Sequence, residues 1–186
     1  MKRLVIGISG ASGMPIAIGV LKALQEQEAW QSCLVISTGG EKTIEMETPY
    51  TVEEVKKLAD EVYDIRNIGA SIASGTFKTE GMVVVPCSMK TLSGIANGYS
   101  DNLLLRAADV VLKERRKLVL VARETPFNTI HLRNMLSLSE MGAIIMPPMQ
   151  TYYNKPENVD DMVNHMVGKI LDVFGIEHKS FRRWNP

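Results

Sequence analysis

Six short runs of apolar, largely β-branched residues punctuate the chain: RLVIGIS (3–9), CLVIST (33–38), EVYDI (61–65), MVVVPC (82–87), KLVLVAR (117–123) and GAIIMP (142–147). Most are continuously apolar, the pattern of strands buried on both faces of a parallel sheet. Helical patterns lie between them. DNLLLRAADVVLKERR places Leu103, Leu104, Ala107, Ala108 and Val111 on one face behind Ser100 or Asp101 as N-cap. Near the end, Val159, Met162, Val163, Met166, Val167, Ile170, Leu171 and Phe174 follow the helical period, and Gly175 supplies a stop. The alternation predicts an α/β fold: a single three-layer α/β/α domain of Rossmann or flavodoxin-like type spanning residues 1–186, with a mainly parallel sheet. Such sheets bind ligands outside the carboxyl ends of their strands, where the strand order reverses.

Composition narrows the function classes. Lys plus Arg and Asp plus Glu number 21 each, so the net charge is zero, against a nucleic-acid binder. Cys33 and Cys87 sit in strand-like runs without metal-ligand spacing, as buried small residues of a reducing compartment do. No apolar run approaches the roughly 18 residues of a membrane helix. MKRLVIGIS lacks a cleavage site and reads as the first strand of a cytoplasmic protein.

Chemistry is therefore sought at the strand ends. After the first strand, Gly10-Ala11-Ser12-Gly13 precedes Pro15, a loop whose glycines admit a ligand close to the backbone and to a helix N-terminus. The plainer reading makes Ser12 only a helix cap. The second strand ends in Ser37-Thr38-Gly39-Gly40 and lacks the acidic residue that holds a dinucleotide ribose, which favours a mononucleotide. Pro86 stops the fourth strand, and Ser88, Met89, Lys90 and Thr91 open a helix that forms a second anion-friendly turn. Arg123 and Glu124 end the fifth strand, either as a surface pair or as a fixed cation beside a proton-transfer carboxylate. Tyr152 and Tyr153 follow the sixth. Walker A, HExxH and G-x-S-x-G patterns are absent, and the histidines are His131, His165 and His178.

GASG, VPCSMKTL, LLRAADVVLKERRKLVLVARETPF and H-L-x-N-M together resemble the UbiX flavin prenyltransferases, and within them the branch paired with phenolic-acid decarboxylases. The resemblance runs from Leu4 to Trp184. It implies FMN as the flavin, dimethylallyl phosphate as the donor, no metal, and prenylated FMN made for a UbiD-type aromatic acid decarboxylase. It also implies a homo-oligomer, a dodecamer with active sites between subunits. By motif, FMN contacts fall on Gly10, Ala11, Ser12, Ser37, Ser88, Met89, Lys90, Thr91 and Arg123. Donor contacts fall on Tyr153 and Lys169, with Arg106 and Lys113 joining from neighbouring surfaces. Ser12, Glu47 and Glu124 match catalytic positions.

Spacing is compatible with these roles. Arg106, Asp109 and Lys113 share one helix face, equally the pattern of a solvated ion-pair stripe, and Lys169 borders the last apolar face. Some members carry a tryptophan in the loop after the third strand. Here that loop reads NIGASIASGTF, and Phe77 is its first aromatic residue. Two other readings compete: an FMN-binding accessory subunit or carrier, and a flavin-dependent peptidyl-cysteine decarboxylase, whose P-x-M-N motif is replaced here by PPMQ.

Overall fold

A computed structural model describes residues 1–179 and 182–183; Trp184, where the family resemblance ends, lies outside them. The strands are β1 (Lys2–Ile8), β2 (Trp30–Ile36), β3 (Glu61–Tyr63), β4 (Gly81–Cys87), β5 (Lys117–Ala122) and β6 (Ile144–Ile145). They form one parallel sheet in the order β3-β2-β1-β4-β5-β6. The order reverses between β1 and β4, which makes their adjacent carboxyl ends the expected ligand crevice. The helices are α1 (Met14–Gln25), α2 (Thr38–Glu47), α3 (Val52–Lys56), α4 (Met89–Ala96), α5 (Leu103–Lys113), α6 (Thr129–Glu140) and α7 (Val159–Phe174).

Alternate strand residues feed two separate cores, as the period of two demands. Leu4, Ile6, Ile8, Val83, Val85, Val119 and Val121 point to the side covered by α1 and α7. Val5, Met82, Val84, Leu118, Leu120 and Ala122 point to the side of α4, α5 and α6. The sheet is thus covered on both faces.

Three local expectations change. Asn102, not Ser100 or Asp101, caps α5, its side chain accepting from the Leu105 N–H. Pro86 does not end β4: the strand continues to Cys87, with a register shift against β5 between Val84 and Cys87. A bulge is where a central strand tolerates the missing N–H. Gly13, not Ser12, stands at the N-cap of α1, so the N-cap residue has no side chain with which to cap that helix.

Both cysteines are free and buried. Burial, reinforced by Glu61, pushes the Cys33 thiol up to about 12, and burial raises Cys87 as well. Neither is a thiolate at neutral pH. His178 carries a buried Nε2 without a hydrogen-bond partner, and burial holds its pKa below the ordinary histidine value. The unfolded chain therefore binds a proton that the folded chain refuses, so stability is full above about pH 6.5 and falls as the pH drops through it. Urea midpoints should be flat above neutrality and decline below it, with a shallower decline in His178→Leu.

Candidate active site

The β1 and β4 turns are joined by a residue that motif reading passes over. Ser9, fully buried, donates its hydroxyl proton to the Pro86 carbonyl at 3.0 Å and accepts from the Ser88 N–H at 2.8 Å. The Ser9 N–H also reaches the Pro86 carbonyl at 3.2 Å. One side chain thereby fixes the glycine-rich turn after β1 to the serine turn after β4 across the switch point. Ser9→Ala removes the acceptor of the Ser88 N–H, while the Pro86 carbonyl keeps the Ser9 N–H, and should cost about 1–3 kcal/mol, read as a lower urea midpoint at unchanged slope.

A cavity opens on either side of the turn after β1. On one side lies a cleft of about 750 Å³ bounded by Gly10, Ser37, Thr38, Ser88, Lys90 and Thr91. Two helices begin at its wall. Ser37 caps α2, accepting from the Gly40 N–H, and Ser88 caps α4, accepting from the Thr91 N–H. Converging helix starts and hydroxyls suit a phosphate. Gly10 and Gly39 meet backbone to backbone there: a Cβ on Gly10 would stand 2.9 Å from Gly39 C and Cα. The candidate FMN residues Gly10, Ser37, Ser88, Lys90 and Thr91 line this cleft, with Met89 in the first turn of α4.

On the other side lies a cavity of about 490 Å³. Its walls are Ile16, Met149, Val163 and Met166, with Ser12, Glu47 and Arg123 as polar residues among them. The expectation that the N-terminus of α1 receives a ligand phosphate is corrected here. Glu47, from the end of α2, already occupies it: its Oε2 accepts from the Gly13 N–H at 2.9 Å and the Met14 N–H at 3.1 Å. Partial burial alone would raise the Glu47 pKa. The Ser12 hydroxyl, the two backbone N–H groups and the Arg123 charge outweigh it and hold the carboxyl below its ordinary value. The carboxylate is ionised at neutral pH and borders the cavity beside Ser12 and Arg123.

Arg123 leaves β5 with its N–H donated to the Cys87 carbonyl at 3.1 Å, so the sheet ladder itself aims the residue over the rim. Glu124, half-buried beside it, accepts from the Thr125 N–H at 3.0 Å and borders neither cavity. Among the described residues, no three His, Cys, Asp or Glu side chains gather to hold a metal.

The sequence family model described as Flavoprotein matches residues 1–171. A probable UbiX-like flavin prenyltransferase of Sedimentibacter hydroxybenzoicus is 55% identical over 182 residues, covering 98% of this chain and 96% of its own. The flavin prenyltransferase LpdB of Lactiplantibacillus plantarum is 49% identical over 184 residues, covering 99% of this chain and 98% of its own. The chain belongs to the UbiX-like flavin prenyltransferases. In structure, this UbiX-like chain matches a dodecameric FMN-dependent UbiX-like decarboxylase of Escherichia coli with a TM-score of 0.98, 52% identity and full coverage of both chains. It matches AnUbiX in complex with FMN and dimethylallyl pyrophosphate with a TM-score of 0.98 and 46% identity, over 100% of this chain and 98% of that one. The peptidyl-cysteine decarboxylase EpiD shares the fold, with a TM-score of 0.62 at 21% identity over 81% of this chain and 84% of its own.

Within one UbiX-like chain the four candidate donor contacts do not converge. Arg106 is paired with Asp109 at 2.7 Å, a turn below the start of α5. Lys113 pairs with Glu114 beside Gly75, where β4 and β5 begin, at the opposite end of the sheet from the rim. Tyr153 and Lys169 border neither cavity and instead meet around His165 of α7. Lys169 is exposed, with Gly168 and Ile170 buried on either side of it. Phe77 is turned away from the rim: the Arg3 guanidinium lies over its ring at 4.7 Å, and the Arg116 Nη1 donates to its carbonyl.

Proposed function

We propose that this chain transfers a dimethylallyl group from dimethylallyl phosphate to N5 and C6 of reduced FMN, releasing phosphate, and supplies prenylated FMN to a UbiD-type aromatic acid decarboxylase. The observation that carries this reading is the pair of unlike cavities divided by the β1 turn. One offers helix starts and hydroxyls to a phosphate; the other offers apolar walls beside a fixed carboxylate and a guanidinium. A flavin straddling the turn would put its phosphate among Ser37, Ser88, Met89, Lys90 and Thr91. Gly10 and Ala11 would lie beneath it and its ring against Arg123.

The flavin supplies the nucleophilic nitrogen and carbon, and the donor supplies an allylic carbon with a phosphate leaving group. The chain supplies position and charge. Apolar walls hold the five-carbon unit against the ring and exclude water, replacing an encounter by proximity. Ser12 and Glu124 carry a proton toward the departing phosphate, and Glu47 accepts the proton lost from C6. Cations beside the leaving group stabilise the charge that develops there. In this reading Tyr153, Lys169, Arg106 and Lys113 reach the donor phosphate from neighbouring copies in a homododecamer, since one chain keeps them apart from its own cavities. Residues 1–186 act as one flavoprotein domain. We assign the reaction to the cytoplasm, a reading that two free, buried cysteines support.

The test is to incubate the purified oligomer with reduced FMN and dimethylallyl phosphate and weigh the released flavin. A flavin heavier by one five-carbon unit is expected. Unmodified flavin, bound and released intact, would instead identify an FMN carrier.

A further inference from the structure

His165 is one of few buried polar side chains, 5% exposed, on the stripe of α7 that also carries Lys169 one turn further on. The edge-to-face contact of Tyr153 with its ring has centroids 6.0 Å apart and planes at 82°. Asn154 Nδ2 lies 3.5 Å from its Nδ1. The segment carrying Tyr153 is a tight turn closed by the Lys155 N–H on the Tyr152 carbonyl at 3.0 Å, with Lys155 at φ 50. A lysine in the left-handed region is an uncommon backbone choice, retained where surrounding contacts over-determine the turn. Those contacts are present. The Thr151 hydroxyl donates to Asn154 Oδ1 at 3.3 Å, and Arg182 Nη1 donates to the Asn154 carbonyl at 3.3 Å.

We infer that His165 is a positioning residue for the prenyl donor: it locks the Tyr153 turn onto α7 so that the Tyr153 phenol and the Lys169 ammonium address one phosphate from fixed places. The inference rests on the reading of Tyr153 and Lys169 as donor contacts. It adds a residue that contacts neither flavin nor donor, and it explains why a histidine is buried where an aliphatic side chain would fill the α7 stripe at lower desolvation cost. Burial, and then the neighbouring Lys169 charge, hold the His165 pKa below its ordinary value, so the ring stays neutral and leaves the positive charge to lysine. A neutral imidazole presents one acceptor nitrogen to Asn154 and an aromatic edge or face to Tyr153, and no other side chain of that size offers both.

Steady-state kinetics of the assembled oligomer separate this role from a merely structural one. His165→Ala should raise the KM for dimethylallyl phosphate about tenfold while flavin affinity and kcat at saturating donor stay near the parent values. His165→Phe, which keeps a ring against Tyr153 but no nitrogen for Asn154, should recover part of that loss. An unchanged donor KM in a correctly assembled His165→Ala, with Tyr153→Phe and Lys169→Ala both impaired, would overturn the role of His165. Equal losses in flavin and donor binding would overturn it too, as general damage. If Tyr153→Phe and Lys169→Ala also leave the donor KM unchanged, the donor-site reading itself is wrong, whatever His165 does.

Discussion

Glu47→Gln should lower the rate of prenylated-flavin formation by about 10²- to 10⁴-fold with flavin affinity little changed, the range lost when a positioned proton acceptor is removed. Glutamine keeps the shape, and its carbonyl still accepts from the Gly13 and Met14 N–H groups, so α1 keeps its N-terminal partner. What is lost is the charge and the ability to take a proton beside Ser12 and Arg123. Glu47→Ala makes the contrast: it also strips the N-terminus of α1, which has no side-chain cap of its own, and should lower stability as well as rate. The depressed carboxyl pKa fixes the pH dependence. The wild-type acid limb attributable to Glu47 should fall below the ordinary carboxylate range, because the group stays ionised until the pH drops through its lowered value. Rapid-quench product analysis of the two variants checks both statements.

The second large effect is at Gly10. Even a single added carbon would meet Gly39 C and Cα at 2.9 Å, and both partners are backbone. Gly10→Val must push apart the β1 turn and the start of α2, both of which border the cleft lined by Ser37 and Ser88. Overpacking of this kind costs about 1–3 kcal/mol, and because the strain falls at the phosphate end it should appear as an FMN affinity lower by about 10- to 100-fold. Flavin fluorescence titration measures it. Global unfolding should change less, since both cores lie beneath the turn.

The sheet was readable because most of its six runs are continuously apolar, EVYDI being the exception, and the rim was readable because Gly10, Ser37 and Ser88 sit at the carboxyl ends of β1, β2 and β4. Boundaries were less so: Ser100, Asp101 and Asn102 are all capable N-caps, and only the closing hydrogen bond selects Asn102. Pro86 looked like a strand terminator because a register shift that accommodates it exists only against a paired neighbour. Ser9 and Glu47 illustrate what spacing cannot hold. Ser9 acts on partners 77 and 79 residues away, and Glu47 on N–H groups 33 and 34 residues away. Glu47 was marked by resemblance, yet its claim on the α1 N-terminus is a tertiary fact that reverses the usual reading of a glycine-rich first turn. Arg106, Asp109 and Lys113 do share a face of α5. That helix runs from the rim toward the far end of the sheet, so a shared face did not mean a shared site.

The seat of the flavin phosphate decides which side of the β1 turn holds the ring and which holds the five-carbon unit. A crystal structure of the oligomer with FMN and a non-reactive dimethylallyl phosphate analogue should show that phosphate between Ser37 and Ser88–Thr91, with Glu47 still on the Gly13 and Met14 N–H groups and the five-carbon unit among Ile16, Val163 and Met166. Flavin phosphate seated on those two N–H groups, with the Glu47 carboxylate displaced, would contradict it.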